Sequence, residues 1–267
     1  MLPPDLPPVT NRVLYAYRVF MKCFSFFAFG LISLIVTILI FPPMRLFLHP
    51  RDRFSKYARR FVSSSMRGYI IFMHIIGIVN INPGNRESYR QLSSKIIVAN
   101  HPSILDIVML LSLLPNADCI ANAYLNHSIL RWVVRQLYIL SSLDFNEIIR
   151  NCTSSLERGN CLIVFPEGTR TPRTGKNIVK KGAARIALAT GFGIIPVNIG
   201  GTVKYGIGKK DPWLSFNPTE RYVYNISMGT EISPEKYKSL PIPAAVRALT
   251  KEMSAFLFPA KERRNLC

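Results

Sequence analysis

An uncharged apolar run near the N-terminus limits what this chain can fold into more than any other feature of its sequence. The run extends from Cys23 to Phe41 and has no charged residue over 19 positions. As an α-helix it would be about 28 Å long, close to the ~30 Å hydrocarbon core of a bilayer. Pro42 and Pro43 follow it, and we expect them to end the helix sharply. The pattern predicts a retained membrane anchor.

A cleaved signal peptide and a buried core helix are the alternatives for this run. A signal peptide has a shorter apolar core and a small-residue cleavage site, which the residues after Phe41 do not supply. Basic residues flank the run, with more of them after it, so the positive-inside rule predicts a cytoplasmic main domain. A second apolar stretch, Tyr69–Val79, is too short to cross a bilayer easily. The two stretches together suggest a helical hairpin inserted into one leaflet.

Charge separates the N-terminal third of the chain from the rest. The whole chain has 34 Lys and Arg against 15 Asp and Glu, a net charge of +19. Residues 1–86 hold 11 bases and two acids, a net +9, which leaves +10 for residues 87–267. We therefore predict a membrane-anchoring helical region at 1–86 and an α/β domain at 87–267. The charge implies an anionic partner, and composition alone leaves nucleic acid, anionic lipid, phosphorylated substrate and acidic protein open.

Short apolar runs alternate with helical patterns from Lys95 onward, which predicts a mixed, largely buried sheet flanked by helices. The predicted strands are 96–99, 118–121, 138–140, 162–165, 194–199 and 222–228. The predicted helices are 104–113, 128–135, 147–158, 179–189 and 244–256. The five cysteines and four histidines show no metal-ligand spacing, so we expect neither a disulfide framework nor a metal site.

The first motif with chemical potential is N-H-P-S-I-L-D at residues 100–106, between a predicted strand and a predicted helix. Functional groups in α/β folds collect at such strand ends, where His101 would lie. Asp106, one turn into the helix, can fold back, fix the imidazole tautomer and leave the other ring nitrogen as a general base. Taken alone, the motif is better explained by a helix-capping segment with an unrelated His and Asp.

The second motif is F-P-E-G-T-R-T at residues 165–171, which also follows a predicted strand. Gly168 permits a tight turn, and Thr169 and Arg170 offer donors suited to a phosphate or carboxylate. Glu167 would accept from a substrate hydroxyl or orient Arg170. Taken alone, the motif is equally compatible with an ordinary surface turn. An acid-free basic run follows, which is either a solvated helix face or an anion funnel: Arg170, Arg173, Lys176, Lys180, Lys181 and Arg185.

Together the two motifs resemble those of the PlsC-like glycerolipid acyltransferases, the 1-acylglycerol-3-phosphate acyltransferases and their relatives. The K-K-G-A-A-R-I-A run at 180–187 and I-I-P-V at 194–197 are similar to later motifs of that family, so the resemblance covers roughly residues 90–205. It implies a glycerolipid acyltransferase fold and transfer of an acyl group from acyl-CoA or acyl carrier protein to an acceptor hydroxyl. No metal and no further cofactor are implied.

The resemblance also assigns roles to residues. It implies that His101 is the base and that Asp106 orients it. The residues implied to bind substrate are Asn100, Ser103, Glu167, Gly168, Thr169, Arg170, Lys181 and Pro196. The family usually has an acceptor-binding arginine between the two motifs, but the matching stretch 136–144 contains none, and Arg131 and Arg135 lie upstream. The leading acceptor is 1-acylglycerol-3-phosphate; another lysophospholipid, an amino-acid lipid and a specialised polyene lipid are alternatives.

Three other functions fit the sequence less well. The intact His101, Asp106 and E-G-T-R residues argue against a catalytically silent lipid-binding member of the fold. No nucleic-acid motif accompanies the positive charge, and the G-x-S-x-G elbow of a serine hydrolase is missing from the sequence. The predicted partners are therefore membrane lipids, a lysophospholipid acceptor and an acyl donor, with no nucleic acid and no metal. The predicted location is a membrane, the cell inner membrane or its equivalent, with the catalytic domain on the cytoplasmic face.

Overall fold

The N-terminal part of the protein is helical. The computed structural model describes residues 3–48, 51–121, 138–140, 143–174 and 177–259. Helix α1 spans Arg12–Ile35. Asn11 is its N-cap residue, and the Asn11 side chain accepts a hydrogen bond from the amide of Leu14 at 2.9 Å. It continues through a π-helical turn, Val36–Ile40, into α2 at Phe41–Phe47. Helix α3 follows at Arg51–Ile75.

The expectation that Pro42 and Pro43 end the first helix is wrong. The π-helical turn lets the amide of Phe41 bond to the carbonyl of Val36, five residues earlier. The prolines then occupy the first positions of α2, where no amide hydrogen is needed. The resulting helix, residues 12–47, is long and apolar enough to cross a membrane. Only 11% of its most apolar window is buried, which argues against a core helix.

Seven strands form one sheet within the described ranges. They are β1 (Val79–Asn82), β2 (Ile96–Ala99), β3 (Ala117–Ala121), β4 (Tyr138–Leu140), β5 (Cys161–Val164), β6 (Ile194–Gly201) and β7 (Tyr222–Met228). Their order across the sheet is β1-β7-β6-β2-β5-β3-β4. Every neighbouring pair is parallel except β6 and β7, which are antiparallel. The predicted mixed sheet is therefore confirmed.

Two apolar layers cover the sheet, one on each face. The remaining helices are α4 (Arg86–Arg90), α5 (Asp106–Leu113), α6 (Phe145–Glu157), α7 (Gly182–Thr190) and α8 (Ile242–Leu257). Side chains alternate along β2, as the strand geometry requires. Ile97 belongs to the core shared with α3 and α5, whereas Ile96 belongs to the core shared with α6, α7 and α8. The helices therefore flank a sheet whose central strands are buried on both faces.

Each predicted strand, and each predicted helix that falls on described residues, has a counterpart in the structure, whereas β1, α4 and the 3-10 helix Pro234–Tyr237 were not predicted. Strand β1 was not predicted, because its first residue, Val79, ends the apolar stretch that we assigned to the hairpin. Gly77, with φ of +74°, turns the chain between α3 and β1. The sheet thus begins before residue 87, and the division of the chain at that point stays a prediction. The predicted helix 128–135 lies outside the described residues.

Polar contacts fix the N-terminal helices to the sheet. The guanidinium of Arg59 in α3 makes two bonds to the carboxylate of Asp118 in β3, Nε to Oδ1 at 2.7 Å and Nη2 to Oδ2 at 3.0 Å. Both side chains are almost completely buried. Charge-assisted bonds of this forked geometry are strong and directional. They hold α3 in a defined position against the strand.

Candidate active site

The site begins where β2 ends. The side-chain amide of Asn100 pairs with the backbone of Ile199 in β6: Oδ1 accepts from its amide at 2.6 Å and Nδ2 donates to its carbonyl at 3.0 Å. Two bonds to one residue fix the chain as it leaves the sheet. His101 follows immediately, so its backbone is placed by the sheet. Asn100 therefore fixes the start of the loop that carries His101.

His101 and Asp106 form a hydrogen-bonded pair. Imidazole Nδ1 lies 2.8 Å from carboxylate Oδ2, and the carboxylate is fully buried. A carboxylate only accepts, so Nδ1 carries the hydrogen and Nε2 keeps its lone pair. Asp106 begins α5 instead of lying one turn inside it as predicted, because its Oδ2 also accepts from the amide of Ser103 at 2.6 Å. The negative charge then lies at the helix N-terminus, where it is stabilised.

The imidazole is held on its flat face and remains accessible. Its ring stacks on Phe165 with 4.2 Å between the ring centroids and 20° between the planes. The His101 side chain is 20% exposed, in contrast to its buried partner. The stacking limits rotation of the ring while leaving part of it open to a ligand. His101 is therefore an oriented, partly exposed base just after the carboxyl end of strand β2.

The second predicted motif folds against the first. Gly168 adopts φ of +68°, as expected for the tight turn. Glu167 Oε1 accepts from the amide of His101 at 3.1 Å and from the hydroxyl of Thr171 at 2.6 Å. The amide of Thr171 donates in return to the His101 carbonyl at 2.6 Å. Glu167 therefore holds the backbone of the histidine, a contact that the sequence did not predict.

The other carboxylate oxygen of Glu167 is buried and has no hydrogen-bond partner among the described residues. Burial raises the pKa of this carboxyl above its usual value, because the charged form loses its hydration. The hydrogen bonds from Thr171 and His101 oppose that shift only in part. This oxygen of Glu167 is thus a buried acceptor without a described partner, in the loop that holds the backbone of His101.

Arg170 is oriented by backbone carbonyls. Its Nη1 donates to the carbonyls of Ile207 at 3.2 Å and Gly208 at 2.6 Å. The same Ile207 carbonyl accepts from the amide of Ile104 at 3.1 Å, inside the first motif. The segment 207–208 therefore ties the two motifs together. It also fixes the guanidinium at the rim of the site.

Two of the other residues predicted to bind substrate, Thr169 and Lys181, lie on the protein surface near the turn at Gly168. Thr169 is exposed at the turn, and Lys181 is the exposed N-cap residue of α7. Lys180 approaches the turn more closely, since a Cβ on Gly168 would lie 2.7 Å from its Nζ.

Pro196 lies in the middle of β6, opposite Val98. Its ring and that of Phe256 in α8 both lie 2.9 Å from a Cβ built on Gly229. Pro196 thus lies beside Phe256 of α8. Arg131, Arg135 and Lys176 lie outside the described residues.

Sequence reasoning missed several contributors to the site. The carbonyls of residues 207–208 and the side chain of Tyr224, which contacts Ser103, come from segments with no recognisable motif. Thr171 was inside the second motif, but only its three-dimensional pairing with Glu167 gives it a role. Among the described residues, no group of three or more His, Cys, Asp or Glu side chains is placed to hold a metal ion.

Residues 80–200, which contain both motifs, match the family described as Acyltransferase. The chain is similar to the chloroplastic 1-acyl-sn-glycerol-3-phosphate acyltransferase LPAT1 of Arabidopsis thaliana, with 28% identity over 178 residues. That match covers 64% of this chain and 48% of the relative. A probable 1-acyl-sn-glycerol-3-phosphate acyltransferase of Mycoplasma pneumoniae is 25% identical, and that match covers 69% of this chain and 73% of the Mycoplasma chain.

The structural comparison agrees with the sequence comparisons. The crystal structure of the 1-acyl-sn-glycerophosphate acyltransferase PlsC from Thermotoga maritima matches with a TM-score of 0.68 and 22% identity. It covers 94% of this chain and 97% of the Thermotoga chain, so the fold is shared over almost the whole length. The resemblance to PlsC-like acyltransferases predicted from the motifs is confirmed. The chain spans about half the length of the Arabidopsis relative.

Proposed function

We propose that this protein is a membrane-bound O-acyltransferase that transfers a fatty acyl group from a thioester to the hydroxyl of a lysophospholipid. The observation that carries the proposal is the 2.8 Å bond between His101 Nδ1 and buried Asp106, which leaves Nε2 free to accept a proton. The names of the relatives support 1-acylglycerol-3-phosphate as the acceptor. The product would then be phosphatidic acid.

In the proposed reaction, His101 Nε2 removes the proton of the acceptor hydroxyl as its oxygen attacks the thioester carbonyl. The tetrahedral intermediate collapses, the carbon–sulfur bond breaks, and the imidazolium returns the proton to the leaving thiolate. Asp106 stabilises the imidazolium between the two steps. A positioned base of this kind contributes ~10²–10⁴ in rate. The products are the new ester and the free thiol of CoA or the carrier protein.

No cysteine is needed as an intermediate carrier of the acyl group. Cys152 and Cys161 are buried in the sheet domain. Burial raises the pKa of the Cys152 thiol to about 12 and that of Cys161 to about 11. Thiolates are the nucleophilic form, and these two thiols remain protonated at neutral pH. This favours direct transfer between donor and acceptor.

The basic residues around the turn of Gly168 suit an anionic acceptor. Arg170 is oriented by two carbonyls, and the ammonium of Lys180 approaches the turn. We assign the acceptor phosphate to these two cations, with Thr169 at the exposed tip and Lys181 beside them. Ser103 and Asn100 act behind them by holding the loop, and Glu167 contributes to the site through its bond to the backbone amide of His101.

The helix 12–47 would attach the enzyme to the membrane that contains its acceptor. Large apolar side chains are exposed along it; examples are Val13, Phe20, Phe27, Ile38, Leu39, Leu46 and Phe47. Exposed apolar surface of this extent indicates insertion into an apolar phase. We place the sheet domain on the cytoplasmic face, where acyl-CoA and acyl carrier protein are found.

The test is a transfer assay with the purified full chain in detergent micelles. Acceptors include lysophosphatidate and other lysophospholipids, each offered with acyl-CoA or acyl carrier protein, and products are identified by mass spectrometry. We expect phosphatidic acid from the wild type and a loss of ~10²–10⁴ in kcat for His101→Ala. Full transfer by His101→Ala would refute the role of this residue. Lipid binding without transfer from any donor would indicate a non-catalytic member of the fold.

A further inference from the structure

A chain of buried hydrogen bonds continues behind the His101–Asp106 pair. Asp106 Oδ1 accepts from the hydroxyl of Ser103 at 2.6 Å, and that hydroxyl oxygen lies 2.8 Å from the phenol oxygen of Tyr224. Ser103, Asp106 and Tyr224 are all completely buried. Tyr224 lies in β7, far along the sequence from the first motif, at a separation of 121 positions from Ser103. The chain thus connects the imidazole to a distant strand.

The direction of each bond in this chain is determined by the available protons. A carboxylate only accepts, so the single hydroxyl proton of Ser103 is directed to Asp106. The Ser103 oxygen must then accept from its other neighbour, which means that the phenol of Tyr224 donates. The amide of Leu105 donates to the same oxygen at 3.2 Å. Both lone pairs of the serine oxygen are thereby occupied, and its hydroxyl has one preferred orientation.

The surroundings of Tyr224 keep it in the donor form. Burial raises the pKa of its phenol well above the usual value, and the negative charge of Asp106 adds to that shift. The ammonium of Lys204 lies 4.3 Å from the centre of the Tyr224 ring and donates to the carbonyl of Val223 at 2.8 Å. A cation over an aromatic face draws electron density from it. The phenol is therefore a protonated and strengthened donor.

We propose that Tyr224 is a positioning residue for acyl transfer, acting through Ser103 to hold the carboxylate of Asp106 in the orientation that aligns His101. This inference rests on the proposed function, since it assigns Tyr224 a part in the same acid–base step. Tyr224 is buried behind the aspartate and is separated from the imidazole by two side chains. Its removal is therefore expected to change the alignment of the base, and with it kcat, more than the binding of either substrate.

Tyr224→Phe removes only the phenol oxygen and provides the first test. We expect kcat to fall about 3- to 10-fold with KM unchanged, the size of one neutral hydrogen bond. Ser103→Ala removes a bond to the carboxylate itself, and its kcat should fall about 10- to 100-fold. The double variant should be no slower than Ser103→Ala, because Tyr224 acts only through the serine.

Tyr89→Phe is the matched control. Tyr89 is 1% exposed, and its phenol donates to the carbonyl of Ile226 in the same strand β7 at 3.5 Å. It loses one buried phenol oxygen, as Tyr224→Phe does, but lies outside the chain that reaches Asp106. We expect wild-type kcat for Tyr89→Phe, and we expect Ser103→Ala to have the same kcat with and without this substitution.

The pH dependence of kcat separates positioning from a loss of folded protein. Without the phenol, the Ser103 hydroxyl donates less strongly to Asp106, and the carboxylate retains more negative charge to stabilise the imidazolium. The acid limb of the profile should therefore move to higher pH in Tyr224→Phe and in Ser103→Ala, but not in Tyr89→Phe. Ser103→Ala tests the same chain if Tyr224→Phe is unstable.

Each result has a definite meaning. An active wild type with a fully active Tyr224→Phe, or kcat losses that multiply in the double variant, would overturn this inference and leave the proposed function intact. A wild type without transfer from any donor would overturn the proposed function and this inference with it.

Discussion

The ammonium of Lys22 in α1 lies 2.7 Å from the carbonyl oxygen of Ser215, although 193 positions separate the two residues. Lys22 is completely buried and also donates to the carbonyls of Gly206, at 3.2 Å, and Trp213. One side chain therefore fixes the segment 206–215 to the apolar helix. Because the neighbouring carbonyls of residues 207–208 hold Arg170, the helix and the site form a connected structure.

We expect Lys22→Met to destabilise the protein by about 2–4 kcal/mol. Each buried carbonyl that loses its donor costs about 1–3 kcal/mol, and removal of a buried charge offsets part of that cost. Thermal unfolding of the full chain in detergent measures the change. The KM for the acceptor should rise as well, because Arg170 loses its support. Lys251→Met, on the exposed side of α8, is the control. An unchanged melting temperature in Lys22→Met would show that the contact contributes nothing.

Glu167→Gln should stabilise the protein at neutral pH. The folded state raises the pKa of this carboxyl, so it favours the protonated form, and stability is lost as pH rises through the raised value. A glutamine is neutral throughout and avoids that loss. Its melting temperature should exceed that of the wild type at pH 7–8, and the difference should vanish toward about pH 4, where an ordinary glutamate is protonated.

The matched variant for this experiment is Glu157→Gln at the exposed end of α6. Its melting temperature, measured over the same pH range, is the control for replacing an exposed carboxylate by an amide. A constant difference between Glu167→Gln and the wild type from pH 4 to 8 would contradict a raised pKa at Glu167.

Arg170→Lys tests the contact with the acceptor. Lysine keeps the charge but loses the forked geometry that binds two carbonyls and a phosphate together. We expect KM for lysophosphatidate to rise about 5- to 50-fold with kcat nearly unchanged, whereas KM for an uncharged acceptor such as monoacylglycerol stays constant. Arg185→Lys, exposed on α7, should have wild-type kinetics. An equal rise for both acceptors would mean that Arg170 supports the loop and does not bind the phosphate.

Membrane attachment is tested on exposed residues, which leaves the Lys22 contacts intact. Phe20 and Phe27 are 65% and 71% exposed and lie two turns apart on one side of α1. Replacing both by serine should weaken binding to anionic lipid vesicles at least ~10-fold, since burial of each ring contributes about 1.5–3 kcal/mol. Co-flotation with the vesicles measures the bound fraction. Ile242→Ser, 77% exposed on α8, should bind like the wild type, and undiminished flotation of the double variant would exclude this face.

Local patterns were sufficient to predict most of the sheet and the two motifs. The apolar residues of strand β2 are followed directly by the polar residues of the first motif, and this change is visible in the sequence. Strand β1 was hidden because an apolar run has no period that separates the end of a helix from a short buried strand. Gly77 marks the boundary, but its positive φ is known only from the structure.

The contacts that complete the site were not predictable, because they join distant segments. The sequence around Lys22 predicts only a charged residue that flanks an apolar run. In the structure Lys22 is buried and donates to the carbonyls of residues 206, 213 and 215. Tyr224 lies in a strand whose aromatic and apolar residues predict only a buried face. Its function as a donor depends on which residue of another loop lies opposite, and a single sequence contains no information on that pairing.

The position of β7 has a consequence for synthesis of the protein on the ribosome. Strand β1 pairs with β7 through Val79 and Tyr222, so β1 emerges long before its partner has been translated. The first motif is also made early, yet Ser103 meets Tyr224 only when β7 inserts between β1 and β6. A nascent chain that ends before this strand carries both the histidine and the aspartate without the support behind them. The support behind the histidine and aspartate is therefore completed only late in translation, after β7 has been made.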